Sequence, residues 1–355
     1  LGELPESLIF IGRWEKKVRS KNNVIESKMT KKLIRRRNEP MQILVMTIAL
    51  LAFAQAITAA QPPTQLNVLQ MQVMLDRAGF SPGEIDGRMG VKTQRARAMF
   101  KKYGNQEQPV EPVTLYRITP EDAAGPFVTI PKGMMQQASL SALGYTSLLE
   151  AIAERFHCSP TLLRHLNPDA LFTEGEEIKV PNVEAMVLPM APSKTHLKKP
   201  SEQLAPEATV DRKAVPAKPK VVVTVTKSLS ALTVTDASGR VLFYAPVTSG
   251  SRHDPLPIGK WKVNGAKFNP NFHYNPHLFW NADPRDAKAT VPPGPNNPVG
   301  LVWIDISKAH YGLHGTPEPS MIGRTHSHGC VRLTNWDALK LAGMVKPGTR
   351  VIFKK

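Results

Sequence analysis

Cys330 is one of only two cysteines in the 355-residue chain, and it lies near the end of the stretch Tyr311 to Leu333, YGLHGTPEPSMIGRTHSHGCVRL. His310, His314, His326 and His328 all fall within nineteen positions of one another beside it. Three chemistries fit such a set: a metal centre, an inert cysteine in a His-rich loop, and a thiol nucleophile with its base. For zinc, His310 and His314 sit four apart on what reads as a strand and its turn. At about 3.3 Å per residue that is roughly 13 Å, too far for one ion without a sharp bend. His326 and His328 flank Ser327 in a loop, with no neighbouring acidic residue to orient them. The reading expects no metal and no cofactor.

A thiol nucleophile fits better. A thiolate is strongly nucleophilic, and its free pKa of about 8.5 falls beside a histidine. Gly329, lacking a side chain, lets backbone and substrate approach, and the amides of that turn are candidates for an oxyanion hole. His314 comes before Gly315-Thr316-Pro317, a tight turn at a strand end where a base could stand. Its ring is expected to be oriented by a backbone carbonyl, that of Gly315, with the distant Asp305 as the other candidate. Cys158 reads as a small buried hydrophobe, and His157 and His165 as surface or boundary residues. A Cys158–Cys330 disulfide is a further option, though it would tie two domains together across a linker.

These residues need strands to hold them. From Val221 to Phe353 the chain carries alternating β-branched runs, a turn at Asp236–Gly239, a partner strand Val241 to Val247, and GLVWIDISK as a further strand. Phe268 to Pro298 is a Pro/Gly/Asn-rich excursion over the surface. Thr334 N-caps a helix, with Asp337 at its third position as a box-like partner and Gly343 near its end. The expected architecture is mostly β, an antiparallel sandwich or semi-barrel with one or two small helices.

The front of the chain is different. Residues 66–104 predict two amphipathic helices, with Val68, Leu69, Val73 and Leu75 on one apolar face and Ala96, Met99 and Phe100 on another. Residues 145–183 predict a helix over 148–156, a second after Ser159-Pro160, and a strand over 177–180. From 184 to 222 the sequence is rich in Pro, Ala and Lys and reads as a semi-extended basic tether holding the two halves apart. The chain begins at Leu1, so 1–28 is expected to be an upstream extension outside the fold. Residues 29–60 carry a basic segment, a twelve-residue apolar run and a small-residue tail. That order predicts an export signal, cleaved or kept as an anchor, and a periplasmic or cell-envelope location.

The net charge of +17 suits nucleic acid, an anionic membrane or an acidic wall polymer. No Cys-x-x-Cys pair, recognition helix or aromatic RNP-like strand supports nucleic acid. The membrane enters only through the signal or anchor segment.

Gly312-Leu313-His314-Gly315-Thr316, followed by Ser327-His328-Gly329-Cys330-Val331-Arg332-Leu333, resembles the catalytic signature of the YkuD-type L,D-transpeptidases, which cross-link peptidoglycan. The likeness covers about 224–353. Leu69-Gln70, Gly79-Phe80, Ile85-Asp86-Gly87, Gly90, Thr93, Ala96 and Phe100 resemble a small helical peptidoglycan-binding domain, giving 61–108. Within 109–183 a helix, helix, Asn-Pro, Gly, strand order resembles an α/β LysM module, without the usual Gly-Asp-Thr. A linker at 184–222 and a catalytic domain at 223–355 complete the division.

The resemblance implies Cys330 as nucleophile, His314 as base and the Gly315 carbonyl as third member, with His328 shaping the pocket. It further implies that Ser327 and Gly329 frame the loop, that Arg332 reads a stem-peptide carboxylate or braces the loop, and that Tyr311 and Trp303 are structural or line the donor groove. The partners implied are donor and acceptor peptidoglycan stem peptides, a wall-anchored lipoprotein as another acceptor, and carbapenems as covalent inhibitors. An L,D-carboxypeptidase using the same thioester, an NlpC/P60-like peptidase and a non-catalytic wall-binding protein are the alternatives. The NlpC/P60 order, cysteine before histidine, is the reverse of this one.

Overall fold

The computed structural model describes residues 65–106, 108–187 and 220–355. The expected upstream extension, the export signal and most of the Pro/Ala/Lys tether lie outside the described residues. Among the described residues no helix is long and apolar enough to cross a membrane.

Residues 220–355 build one eight-stranded sheet. Its strands are β3 (Val222–Thr226), β4 (Ala231–Thr235), β5 (Val241–Pro246), β6 (Gly259–Phe268), β9 (Val302–Ile306), β10 (Gly312–His314), β11 (Val331–Arg332) and β12 (Arg350–Lys354). They follow the order β11-β10-β9-β6-β12-β3-β4-β5. Two pairings are parallel, β10 with β11 and β12 with β3, and the other five are antiparallel. The ten-residue β6 pairs with β12 and with β9, and its register shifts between Val263 and Gly265. An extra residue there bends the strand and curls the sheet. A β-sandwich or half-barrel results, as the alternating β-branched sequence predicts.

Helix α7 (Asn335–Met344) closes one face of this sheet. Ala338, Leu341 and Ala342 pack with Leu313, Val331, Leu333 and Val351 in the main core. Thr334 caps it by accepting from Asp337 N, as expected; the Asp337 carboxylate also accepts from Ser81. A small hairpin, β7 (Phe272–Tyr274) with β8 (Ala289–Val291), organises the Pro/Gly/Asn excursion.

The front is helical. It comprises α1 (Gln65–Arg77), α2 (Val91–Tyr103), the short α3 (Pro120–Ala123) and α4 (Met134–Ala138), then α5 (Leu148–Arg155) and α6 (Pro160–Leu166). Strands β1 (Val113–Arg117) and β2 (Glu177–Pro181) pair antiparallel beside α5 and α6. Ser147 and Ser159 cap α5 and α6 as their sequence positions suggest.

The tether reading holds the front half away from the sheet, but the packing brings them together. Leu69, Val73 and Ile85 share one core with Ile152, Phe156, Cys158 and Val180. Leu75, Phe80, Ala96 and Phe100 pack with Ala231 and Tyr244 of the sheet. Apolar residues left over on the small modules are covered by the neighbouring module, since none of the modules buries enough alone. His157, read from sequence as surface or boundary, is buried. Its Nδ1 lies 3.1 Å from an Asp76 carboxylate oxygen and its ring stacks on Trp336 at 5.1 Å.

Candidate active site

Strand register places the candidate pair. Leu313 pairs with Val331 and His314 with Arg332 on parallel strands. Leu313 and Val331 both enter the core under α7. Side chains alternate along a strand, so His314 and Arg332 point to the opposite face. Cys330 lies in the bend that leads into β11, and Arg332 acts electrostatically on both Cys330 and His314.

The His314 ring is held on two sides. Its Nδ1 lies 2.7 Å from the Gly315 carbonyl oxygen. A carbonyl only accepts, so Nδ1 carries the proton and Nε2 keeps its lone pair. Trp303, its register partner on β9, stacks on the ring at 5.5 Å. Burial, then the charge of Arg332, lowers the His314 pKa to about 3, against the raising effect of the Gly315 bond. The ring is therefore neutral at physiological pH. Asp305, the alternative orienting group, accepts instead from Asn264 at 2.7 Å.

Cys330 sits at the mouth of a tight loop. Its residue surface is partly open while the sulfur is crowded, and burial raises the thiol pKa, with the Gly312 N–H and Arg332 pulling it down. The sequence expectation was a thiol lowered by its histidine. The structure differs because burial is the largest influence on the thiol, while the neutral His314 ring supplies no charge to offset it. The Sγ–H donates to the His310 carbonyl at 3.7 Å.

The loop before Cys330 is built from its own polar atoms. Ser327, buried, donates from Oγ to the Cys330 carbonyl at 2.5 Å and accepts from Gly329 N at 3.2 Å. Gly329 has φ +106°, and a Cβ there would lie 2.5 Å from Tyr311 Cε1. Only glycine fits both constraints. Tyr311 is thereby the floor of the turn. Arg332 is fixed by a two-way backbone pairing with Thr248, its N donating to Thr248 O at 2.8 Å and its O accepting from Thr248 N at 3.0 Å.

His328 faces the excursion. Its Nε2 lies 2.8 Å from Asn281 Oδ1, and its ring packs edge-on to Phe279 at 4.8 Å and near Trp280 at 5.9 Å. The side chains of His310 and His326 are exposed. Among the described residues no group of three or more His, Cys, Asp or Glu could hold a metal ion. Both cysteines are free.

Sequence reasoning passed over three contributors. Glu318, only four residues after His314, acts electrostatically on Arg332. Asn281 lies on a distant segment, and only loop packing reveals it. Asn335 directly follows the cap residue Thr334, where its adjacency to the motif is the one available signal.

The family model of the YkuD L,D-transpeptidase catalytic domain matches residues 220–353. Those residues form a YkuD-type domain. Several curated proteins are similar to part of the chain. YkuD of Bacillus licheniformis is 52% identical over 59 residues, covering 17% of this chain and 36% of that protein. YbiS of Escherichia coli K12 is 34% identical over 134 residues, covering 34% of this chain and 44% of that protein. The chain thus spans less than half the length of these relatives. An L,D-transpeptidase structure from Mycobacterium smegmatis aligns with a TM-score of 0.32 and 21% identity, covering 38% of this chain and 59% of that one.

Proposed function

We propose that the protein is an L,D-transpeptidase acting through Cys330. The observation that carries this reading is the His314 ring, Nδ1 locked on the Gly315 carbonyl, on the strand that pairs with β11, into which Cys330 leads. As a substrate carbonyl approaches, Nε2 takes the thiol proton and the sulfur attacks the carbonyl of the L-centre of the diamino acid in a tetrapeptide stem. The C–N bond to the terminal D-alanine breaks, and the proton on Nε2 passes to its leaving amine. A thioester remains on Cys330. An amine of a second stem, or a lipoprotein lysine, then attacks it, restoring the thiol.

Amides of the Ser327–Cys330 turn supply the oxyanion donors, fixed there by Ser327 and the Gly329 backbone. The Arg332 guanidinium beside Cys330 suits a stem carboxylate. His328 shapes the pocket wall with Phe279, while Tyr311 and Trp303 support the nucleophile loop and the base. A depression of about 480 Å³, lined by Asp254, Asp283 and Asp286 beside Trp280, favours a cationic amine as acceptor over an anionic one. Water as acceptor would give the carboxypeptidase outcome. The export signal, envelope location and carbapenem acylation belong to the same reading.

For the front half a second reading has its own observation. The residues that suggested wall binding are engaged inside the molecule. Asp86 Oδ1 accepts from Gln72 and from Arg88 N, and Ile85 bridges to Cys158. This favours a docked scaffold over an independent glycan binder. Incubation with disaccharide-tetrapeptide, read by mass, tests the main reading: dimer supports transpeptidation, tripeptide plus D-alanine supports carboxypeptidation, and an unchanged substrate contradicts both.

A further inference from the structure

We propose that Glu154, carried by the front helix α5, is a positioning residue for the base His314, an inference that rests on the reading of the site just given. The path is short and continuous. Buried Glu154 accepts through Oε1 from Asn335 Nδ2 at 2.8 Å, although the two residues are 181 positions apart. Asn335, fully buried at the start of α7, accepts through Oδ1 from Leu301 N at 3.0 Å, and its Nδ2 also donates to the Pro295 carbonyl at 3.1 Å.

Both neighbouring turns close on that same oxygen. A Cβ on Gly300 would lie 2.0 Å from Asn335 Oδ1, and one on Gly315 would lie 2.1 Å from it. The Gly315 peptide is therefore wedged against the Asn335 amide, and its carbonyl is the group that fixes the His314 tautomer. If Asn335 turned its amide over, its NH₂ would face Leu301 N, a donor against a donor. Glu154 accepts only from the correct orientation, so it selects that orientation.

A second contact runs in parallel. Asn296 Nδ2 donates to Glu150 Oε1, also on α5, at 2.9 Å and to the Gly144 carbonyl at 2.9 Å. The front half thus grips α7 at Asn335 and the loop from 293 to 301 at Asn296. Nothing in a free-standing wall-binding module calls for a buried carboxylate aimed at a neighbouring domain. A docked support for the catalytic turn does.

The groups facing Glu154 are Asn335, the Tyr145 hydroxyl and the Glu150 carboxylate. Burial raises the Glu154 pKa to about 7. Near neutrality the group accepts from Asn335 whether or not it holds a proton, so a glutamine amide oxygen should serve in its place.

The test uses the whole chain carrying ¹⁵N-labelled histidine, with His314→Gln to assign the resonance. In the wild type His314 should show the single Nδ1–H tautomer. Glu154→Met, which keeps the volume and removes the acceptor, should mix the tautomers. It should also lower kcat for D-alanine release by about tenfold to a hundredfold with KM little changed. Glu154→Gln should retain the tautomer and most of the rate. A Glu154→Met protein with the wild-type tautomer and rate overturns the inference, as does a Glu154→Gln protein damaged as badly as Glu154→Met. Should Glu154→Met fail to fold, Glu154→Asp draws the carboxylate back by one methylene, and an unchanged tautomer and rate there would be equally contrary. Absence of D-alanine release by the wild type would sink the transpeptidase reading alone, because the tautomer comparison still decides the role of Glu154.

Discussion

The Ser81 hydroxyl donates to Asp337 Oδ2 at 2.9 Å, joining the first loop of the front half to the helix that follows the Cys330 motif. Asp337 is buried, and burial together with nearby Asp76 raises its carboxyl pKa to about 6, against the lowering effect of its Thr334 and Ser81 bonds.

That pKa carries a sign. The folded value lies above the unfolded one, so the contribution is complete below the unfolded pKa and is lost as pH rises through about 6. Asp337→Asn keeps an acceptor for Ser81 without a charge to bury. Its melting temperature should exceed that of the wild type above pH 6, with the gap closing towards pH 4. Thermal melts across that range check this, and a lower melting temperature for the variant at pH 8 would contradict it.

His314 has the opposite sign. Its folded pKa of about 3 lies below the unfolded value, so its contribution is intact above the unfolded pKa and is lost as pH falls towards about 3. The base is then neutral across the working range. The acid limb of kcat/KM should therefore not report a His314 titration near 6.5. Iodoacetamide alkylation of Cys330 should rise with pH through a midpoint above that of an ordinary thiol, because burial raises it. A midpoint below 7 would mean a preformed thiolate–imidazolium pair.

Gly329→Ala meets two obstacles at once, a positive φ of +106° and the Tyr311 ring 2.5 Å from the new Cβ. The strain is on the order of 1–3 kcal/mol, and displacement of the turn should cost at least about tenfold in D-alanine release. Kinetics alongside a thermal melt check both effects. Wild-type rates would show that the turn tolerates a side chain.

Cys158 offers the contrasting thiol. It is buried, and burial pushes its pKa far up. In the folded protein, alkylation mapped by peptide mass should label Cys330 and spare Cys158. Cys158→Ala should leave the catalytic rate within about twofold and cost roughly 1 kcal/mol of stability. Labelling of Cys158 first would reverse the two assignments.

Cys330 and His314 stand out in the sequence as candidates because they sit in short segments whose glycines and turn residues are local signals. The curled sheet was legible from the alternation in Val222–Thr226 and in 232–235, where Val223, Val225, Leu232 and Val234 are buried between half-buried threonines and valines. What lay beyond reach depends on pairing between distant segments. Trp303 meets His314 only through the register of β9 with β10. His157 was misread because Trp336, which covers it, comes far later in the chain. The direction of the Cys330 pKa was missed for a related reason: it depends on how deeply the sulfur is enclosed, which no local pattern encodes. Segments with strong local character for helices, such as 148–155 and 160–166, were placed correctly, yet nothing in them announced that they would dock on the sheet.

The most direct test is intact and peptide mass spectrometry of the protein mixed with disaccharide-tetrapeptide and trapped with acid. The predicted result is an acyl adduct, with D-alanine lost from the stem, on the peptide containing Cys330 and absent from Cys330→Ala. A protein that releases D-alanine with no adduct on Cys330, or that keeps full turnover as Cys330→Ala, would contradict the account.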